Sequence, residues 1–105
     1  REIEDRRGVG RTLGSIGALY AELGRPDSAL AYQRESLAAA REVRARRDEG
    51  VALFGIAESH AARGQLDSAV AYHRQSLAID RELGDRTGEG STLTQLGALF
   101  ARQAR

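Results

Sequence analysis

The residues of this 105-residue chain that could do chemistry are two histidines, a glycine-rich run at 85–90, and scattered serines and carboxylates. His60 and His73 lie thirteen positions apart with no motif joining them, which is not the spacing of a metal site. His60 falls on an apolar stripe, where a packed, hydrogen-bonded imidazole is expected rather than a base or a ligand. His73 is expected to be solvated. Residues 85–90, Asp-Arg-Thr-Gly-Glu-Gly, have the glycine content of a phosphate loop but lack its lysine and its spacing. No serine stands in a nucleophile motif. The chain has no cysteine, which removes thiolate chemistry, disulfides and Cys-ligated zinc. No catalytic residue, metal ligand or cofactor is expected, and the chain reads as non-enzymatic.

The elements that must position these residues repeat every forty residues without insertion or deletion. Gly24, Asp27, Ser28, Ala29, Ala31, Tyr32, Arg34, Ser36, Leu37, Ala38, Arg41 and Glu42 each meet an identical residue forty positions later. A second phase recurs three times, in Gly10, Gly50 and Gly90, in Leu13, Leu53 and Leu93, in Ile16, Ile56 and Leu96, and in Ala21, Ala61 and Ala101. A period in this range marks stacked repeats that bury one another's apolar faces. The division expected is one domain over 1–105, with a first repeat at about 6–45, a second at about 46–85 and half of a third at about 86–105.

Within each repeat the apolar spacing is helical. Leu13, Ile16, Gly17, Tyr20 and Leu23 step by three and four and share one stripe. A second kind of helix carries Ala29, Leu30, Tyr32, Ser36 and Leu37. Gly24 and Gly64 sit where helices end in a left-handed residue, Pro26 suits a first turn, and Gly84-Asp85 is a stop followed by a cap. Five helices are predicted, at about 6–23, 26–43, 47–63, 66–83 and 87–103, with no strands. Residues 1–4 align with 41–44 and read as the tail of a preceding helix. The junction at 43–47 is the weak one. Arg44-Ala45 replaces Gly84-Asp85, and both are good helix formers, so either packing imposes a turn or helices two and three fuse and swap between chains. Glycines 10, 50 and 90 have either a packing reason or a tolerated place near helix starts.

Sixteen arginines face fifteen acids, for a net charge of +1. The signs alternate along the chain, which gives no electrostatic support to nucleic-acid binding. Arginines 6, 7, 44, 46, 47 and 86 cluster near the turns. They read as i,i+4 pairs, Glu42 with Arg46 and Glu82 with Arg86, or as an edge for an acidic partner. No apolar run approaches the roughly 18 residues of a membrane span, and no leader is visible, so the expected placement is cytoplasmic, without membrane partners. Arginine without any lysine suggests a GC-rich genome.

The pattern Leu13, Ile16, Gly17, Tyr20, Gly24, Ala29 and Ser36-Leu37, repeated as Leu53, Ile56, Ala57, His60, Gly64, Ala69 and Ser76-Leu77, resembles the tetratricopeptide repeat. The third copy supplies Leu93, Leu96, Gly97 and Phe100. The usual period is near 34, and a period of forty is similar to the long-repeat class of kinesin light chains and bacterial regulatory proteins. The resemblance implies an all-α, right-handed superhelix of about five antiparallel helices, alternating A and B types, with A helices lining a concave face that binds a peptide or protein segment within a larger regulatory protein.

On that face the candidate contact residues are Arg11, Phe54, Glu58, Gln95 and Arg102. Phe54 is equally readable as packing against a neighbouring A helix. The carboxylate clamp of chaperone-binding relatives is missing, since its positions hold Gly14 and Ala18. The asparagine ladder of the long-repeat class is reduced to Ser15, Gly55 and Gln95. The alternative function is a structural spacer or self-assembly unit, because Leu93, Leu96 and Phe100 are expected to present an uncovered apolar face suited to a homodimer.

Overall fold

The computed structural model describes residues 2–104. It holds five helices, α1 Glu2–Glu22, α2 Pro26–Glu42, α3 Arg46–Ala62, α4 Leu66–Leu83 and α5 Arg86–Gln103, and no strand among the described residues. Each helix packs on its neighbour in sequence, and α1 also touches α3. The result is an all-α repeat solenoid only 17 Å thick along its shortest axis and 49 Å along its longest, two helix layers of about 10 Å each. α1, α3 and α5 form one layer, the A helices; α2 and α4 form the other, the B helices.

Close approach of A to B is set by glycine and serine. A Cβ on Gly10 would stand 2.9 Å from Ala39 Cβ, and one on Gly50 would stand 3.1 Å from Ile79 Cγ2. In that gap Ser36 donates its hydroxyl proton to the Gly10 carbonyl at 2.7 Å, and Ser76 donates to the Gly50 carbonyl at 3.2 Å. Gly17 is held as tightly, with Ala29 O 3.1 Å from where its Cβ would lie. Gly90 and Gly97 meet nothing within 4 Å, so the packing reason holds for the first two copies and not for the third.

The core divides into two clusters. One joins Leu30, Leu37, Ala52, Leu53, Ile56 and Ile79, with Tyr72 against it. The other joins Ala69, Val70, Leu77, Leu96 and Leu99. Tyr20 stacks on Tyr32 at 5.5 Å, and His60 stacks on Tyr72 at 5.3 Å, which places the imidazole where an aromatic stands one repeat earlier.

All four inter-helix turns have one form. Arg25, Ala45, Gln65 and Asp85 each donate a backbone N–H to the carbonyl five residues back, Tyr20, Ala40, His60 and Asp80, the bond of a left-handed helix stop. Gly24, Gly64 and Gly84 take the positive φ this needs, and so does Arg44, at +56°. The turn at 43–45 therefore forms, and the helices do not fuse. A left-handed L-residue costs roughly 1–2 kcal/mol. The opposing forces are tertiary: the Leu53 and Ile56 stripe stays buried, and Arg41 reaches across the turn to Glu49 at 3.0 Å, as Arg81 does to Glu89 at 2.8 Å.

Four expectations need correction. Residues 2–4 are not the tail of a separate helix but continue α1; Arg1 lies outside the described residues. Their counterpart of Gly84 is Glu4, which has no glycine's ease in the left-handed region. The i,i+4 pairs do not form, because each would straddle a turn. Instead Glu42 binds Arg6 at 3.0 Å and Glu82 binds Arg46 at 2.7 Å, thirty-six residues apart both times. His73 is not solvated but 1% exposed. Leu96 is not on an open face: it is 5% exposed within the second cluster, whereas Leu93 and Phe100 are 45% and 44% exposed.

Two outcomes follow for urea unfolding at unchanged slope. Gly10→Ala should lose about 1–3 kcal/mol by overpacking, while Gly90→Ala, in open space at the same phase, should gain up to about 1 kcal/mol from helix propensity. Arg44→Gly should gain up to about 1 kcal/mol by relieving the left-handed arginine.

Candidate functional site

Small residues open a gap between α1 and α3 above α2. Gly14, Ser15 and Ala18 of α1 and Gly55 of α3 leave a recess of about 670 Å³, walled by Arg11, Glu22, Asp48, Val51, Phe54 and Glu58. Its floor comes from α2. The Gln33 side chain lies under Gly55, where a Cβ would stand 2.9 Å from Nε2, and Gln33 Oε1 accepts the Ser59 hydroxyl at 2.7 Å. A second recess of about 320 Å³ opens one repeat on, between α3 and α5, lined by Arg47, Val51, Phe54, Asp80, Leu83 and Thr92 among others. Val51 and Phe54 belong to both, so they form the ridge between two compartments of one concave face.

Phe54 is half-buried, and its ring meets the edge of the His73 ring at 4.9 Å. It thus packs on the B layer beneath it and still borders both recesses. Neither reading of Phe54 from sequence includes that partner, because a His73 expected in solvent is in fact buried. The signal was in the register: His73 stands four residues after Ala69 and four before Leu77, on the buried stripe. Burial pushes the His73 imidazole below its ordinary 6.5, and its Nδ1 has no hydrogen-bond partner. Its counterpart Gln33 is satisfied by Ser59, but the residue forty positions after Ser59 is Leu99, which has nothing to donate or accept.

The charges divide along the recess. At the end nearer the start of α3, Asp48 accepts from Arg7 at 2.9 Å and from Arg11 at 3.2 Å. Burial alone would raise the Asp48 carboxyl, but these two hydrogen bonds outweigh it and hold the carboxyl below its usual range. At the other end stand Glu22 and Glu58. Glu58 is open to solvent on one side, while the walls strip water from the other and push its carboxyl upward with no cation to offset the loss.

Of the five candidate residues, Arg11, Phe54 and Glu58 are therefore brought to one recess. Gln95 is half-buried on α5 in register with Gly55 and borders neither recess. Arg102 lies elsewhere, in a shallow polar hollow beside Gly64 and Gln65, with Nη2 3.5 Å from the Ala61 carbonyl. Sequence reasoning missed Asp48, whose third-repeat counterpart is Gly88 and which binds two arginines of α1. Among the described residues no group of three or more His, Asp or Glu could hold a metal ion, and no helix is long and apolar enough to cross a membrane.

Two family models described as tetratricopeptide repeat match the chain, one over residues 9–46 and one over 48–105, the second covering more than half of it. The chain belongs to the tetratricopeptide-repeat family. No curated protein matches it significantly. Tetratricopeptide repeats are in general non-catalytic protein–protein interaction modules.

The buried His73 gives a pH dependence with a definite sign. Its folded-state value lies below 6.5, so the unfolded chain takes up a proton before the folded one does, and stability falls as pH drops below about 6.5. Asp80, raised chiefly by burial, acts oppositely, because the folded state binds its proton more tightly. Unfolding free energies from urea titrations between pH 7.5 and 5.5 should fall for the wild type, by at most about 1.4 kcal/mol per pH unit from this group, and fall less for His73→Gln.

Proposed function

We propose that the concave face of the A helices binds a peptide or protein segment, with Phe54 as apolar anchor and Arg11 and Glu58 as the charged contacts on either side. The observation that carries this reading is the half-buried phenyl ring on the ridge between two adjoining recesses. A ring already braced by His73 loses little freedom on binding. The repeats at about 6–45, 46–85 and 86–105 act in this reading as one interaction domain of a larger regulatory protein, of the long-repeat class to which the kinesin light chains belong. Gln95 is kept as a peripheral contact on α5, outside both recesses. Arg102 is left out, since it is turned to the α3–α4 connection.

A second reading, self-assembly, is favoured by one observation: Leu93 and Phe100 are nearly half exposed on α5, with Arg74 of α4 5.7 Å from the Phe100 ring centre as a partial cover. One set of variants separates the two. Phe54→Ala with Glu58→Ala should lose the proteins captured by the wild type while the sedimentation mass stays at the wild-type value and circular dichroism shows the variant still folded. Unchanged capture, together with a mass that drops on Leu93→Glu, would favour self-assembly instead.

A further inference from the structure

The recess between α1 and α3 is electrically lopsided, and the asymmetry bears on what it takes up. Asp48 is already engaged by Arg7 and Arg11, so the arginine end offers an incoming carboxylate only a cation that has an acid of its own. The far end holds Glu22 and Glu58, neither of which is bonded to a cation among the described residues. Glu22 is also the last residue of α1, where the helix dipole adds partial negative charge. Both carboxylates therefore point to a positive group, and Glu58, short of water on its walled side, gains most from one.

The apolar part of the recess is one turn away. Phe54 and Glu58 are i and i+4 on α3, so their places along the axis differ by about 6 Å. That is the spacing of residues i and i+2 in an extended chain at about 3.3 Å per residue, or of i and i+4 in a docked helix. Resting on the groove-binding reading above, we propose that the segment bound here carries an arginine or lysine at one of those spacings from a bulky apolar side chain, the apolar group seated against Phe54 and the cation between Glu22 and Glu58. Charge complementarity selects this over an acidic segment, which would set like charges together at the carboxylate end and compete with Asp48 at the other.

Fluorescence anisotropy with two capped, fluorescein-labelled peptides tests it: leucine–alanine–arginine repeated three times, and the same peptide with glutamate for arginine. The arginine peptide should bind at least ten-fold more tightly. Glu22→Gln with Glu58→Gln should weaken it at least three-fold and flatten its salt dependence, and Phe54→Ala should weaken it too, with circular dichroism showing each variant folded. Preference for the glutamate peptide, with loss on Phe54→Ala, overturns the basic-segment inference and leaves the groove reading standing. Arginine-peptide binding indifferent to the glutamine variants but lost on Phe54→Ala does the same. Binding by neither peptide, or binding indifferent to Phe54→Ala, overturns both.

Discussion

The structure depends on how closely an A helix can lie against the B helix that follows it. Gly10 and Gly50 have no side chain there, and the serine hydroxyl of the next helix crosses the gap to their carbonyls. A helical glycine costs about 1 kcal/mol against alanine, and four of them in α1 alone make the isolated helix a poor one. In the second hairpin the close approach at Gly50 seats Ile79 of α4 in the core that Leu30, Leu37, Leu53 and Ile56 form between α2 and α3, and such packing is where helices in proteins draw most of their stability. Because the contact recurs at a fixed separation, the hairpins stack in register and the A helices come to lie side by side.

The concave face is a consequence of the same economy of side chains. Small residues at 14, 18 and 55 keep the floor open, and the Gln33 amide fills the space beneath Gly55. Phe54 interrupts the run, in a position that is Gly14 one repeat earlier and Thr94 one repeat later. The groove is therefore particular to this sequence at its centre, while its frame is common to every repeat. Electrostatic asymmetry enters the same way, through Asp48 and Glu58, whose counterparts in the neighbouring copies are Gly8, Gly88, Ala18 and Ala98.

Identity between copies conveys the frame, and departures from identity convey the site. Arg6 with Glu42 and Arg46 with Glu82 occupy equivalent places. So do Arg41 with Glu49 and Arg81 with Glu89, and Asp27 with Arg63 and Asp67 with Gln103. Exposed pairs of this kind are worth little singly. His73 is the cost of one departure: leucine at 99 removes the hydroxyl that serves Gln33 through Ser59, and the imidazole is left buried with a free nitrogen.

Much of the fold was legible in the residues alone. Gly24, Gly64 and Gly84 announce their turns because only glycine takes a left-handed conformation at no steric cost, and the forty-residue period with helical spacing fixes the element count and the stacking. The rest needed tertiary contacts. Arg44 turns left-handed against its own preference, because the stripe on α3 must be buried. His73 and Leu96 are buried by neighbours far away in sequence. Arg46 pairs across helices because a turn breaks the local spacing that would have given it Glu42. Of the candidate site, Arg11, Phe54 and Glu58 could be named from their register on the A helices. That they share a recess, that Arg11 is held by Asp48, and that Arg102 is turned elsewhere are matters of side-chain packing, which depends on distances between helices that no single helix's sequence specifies.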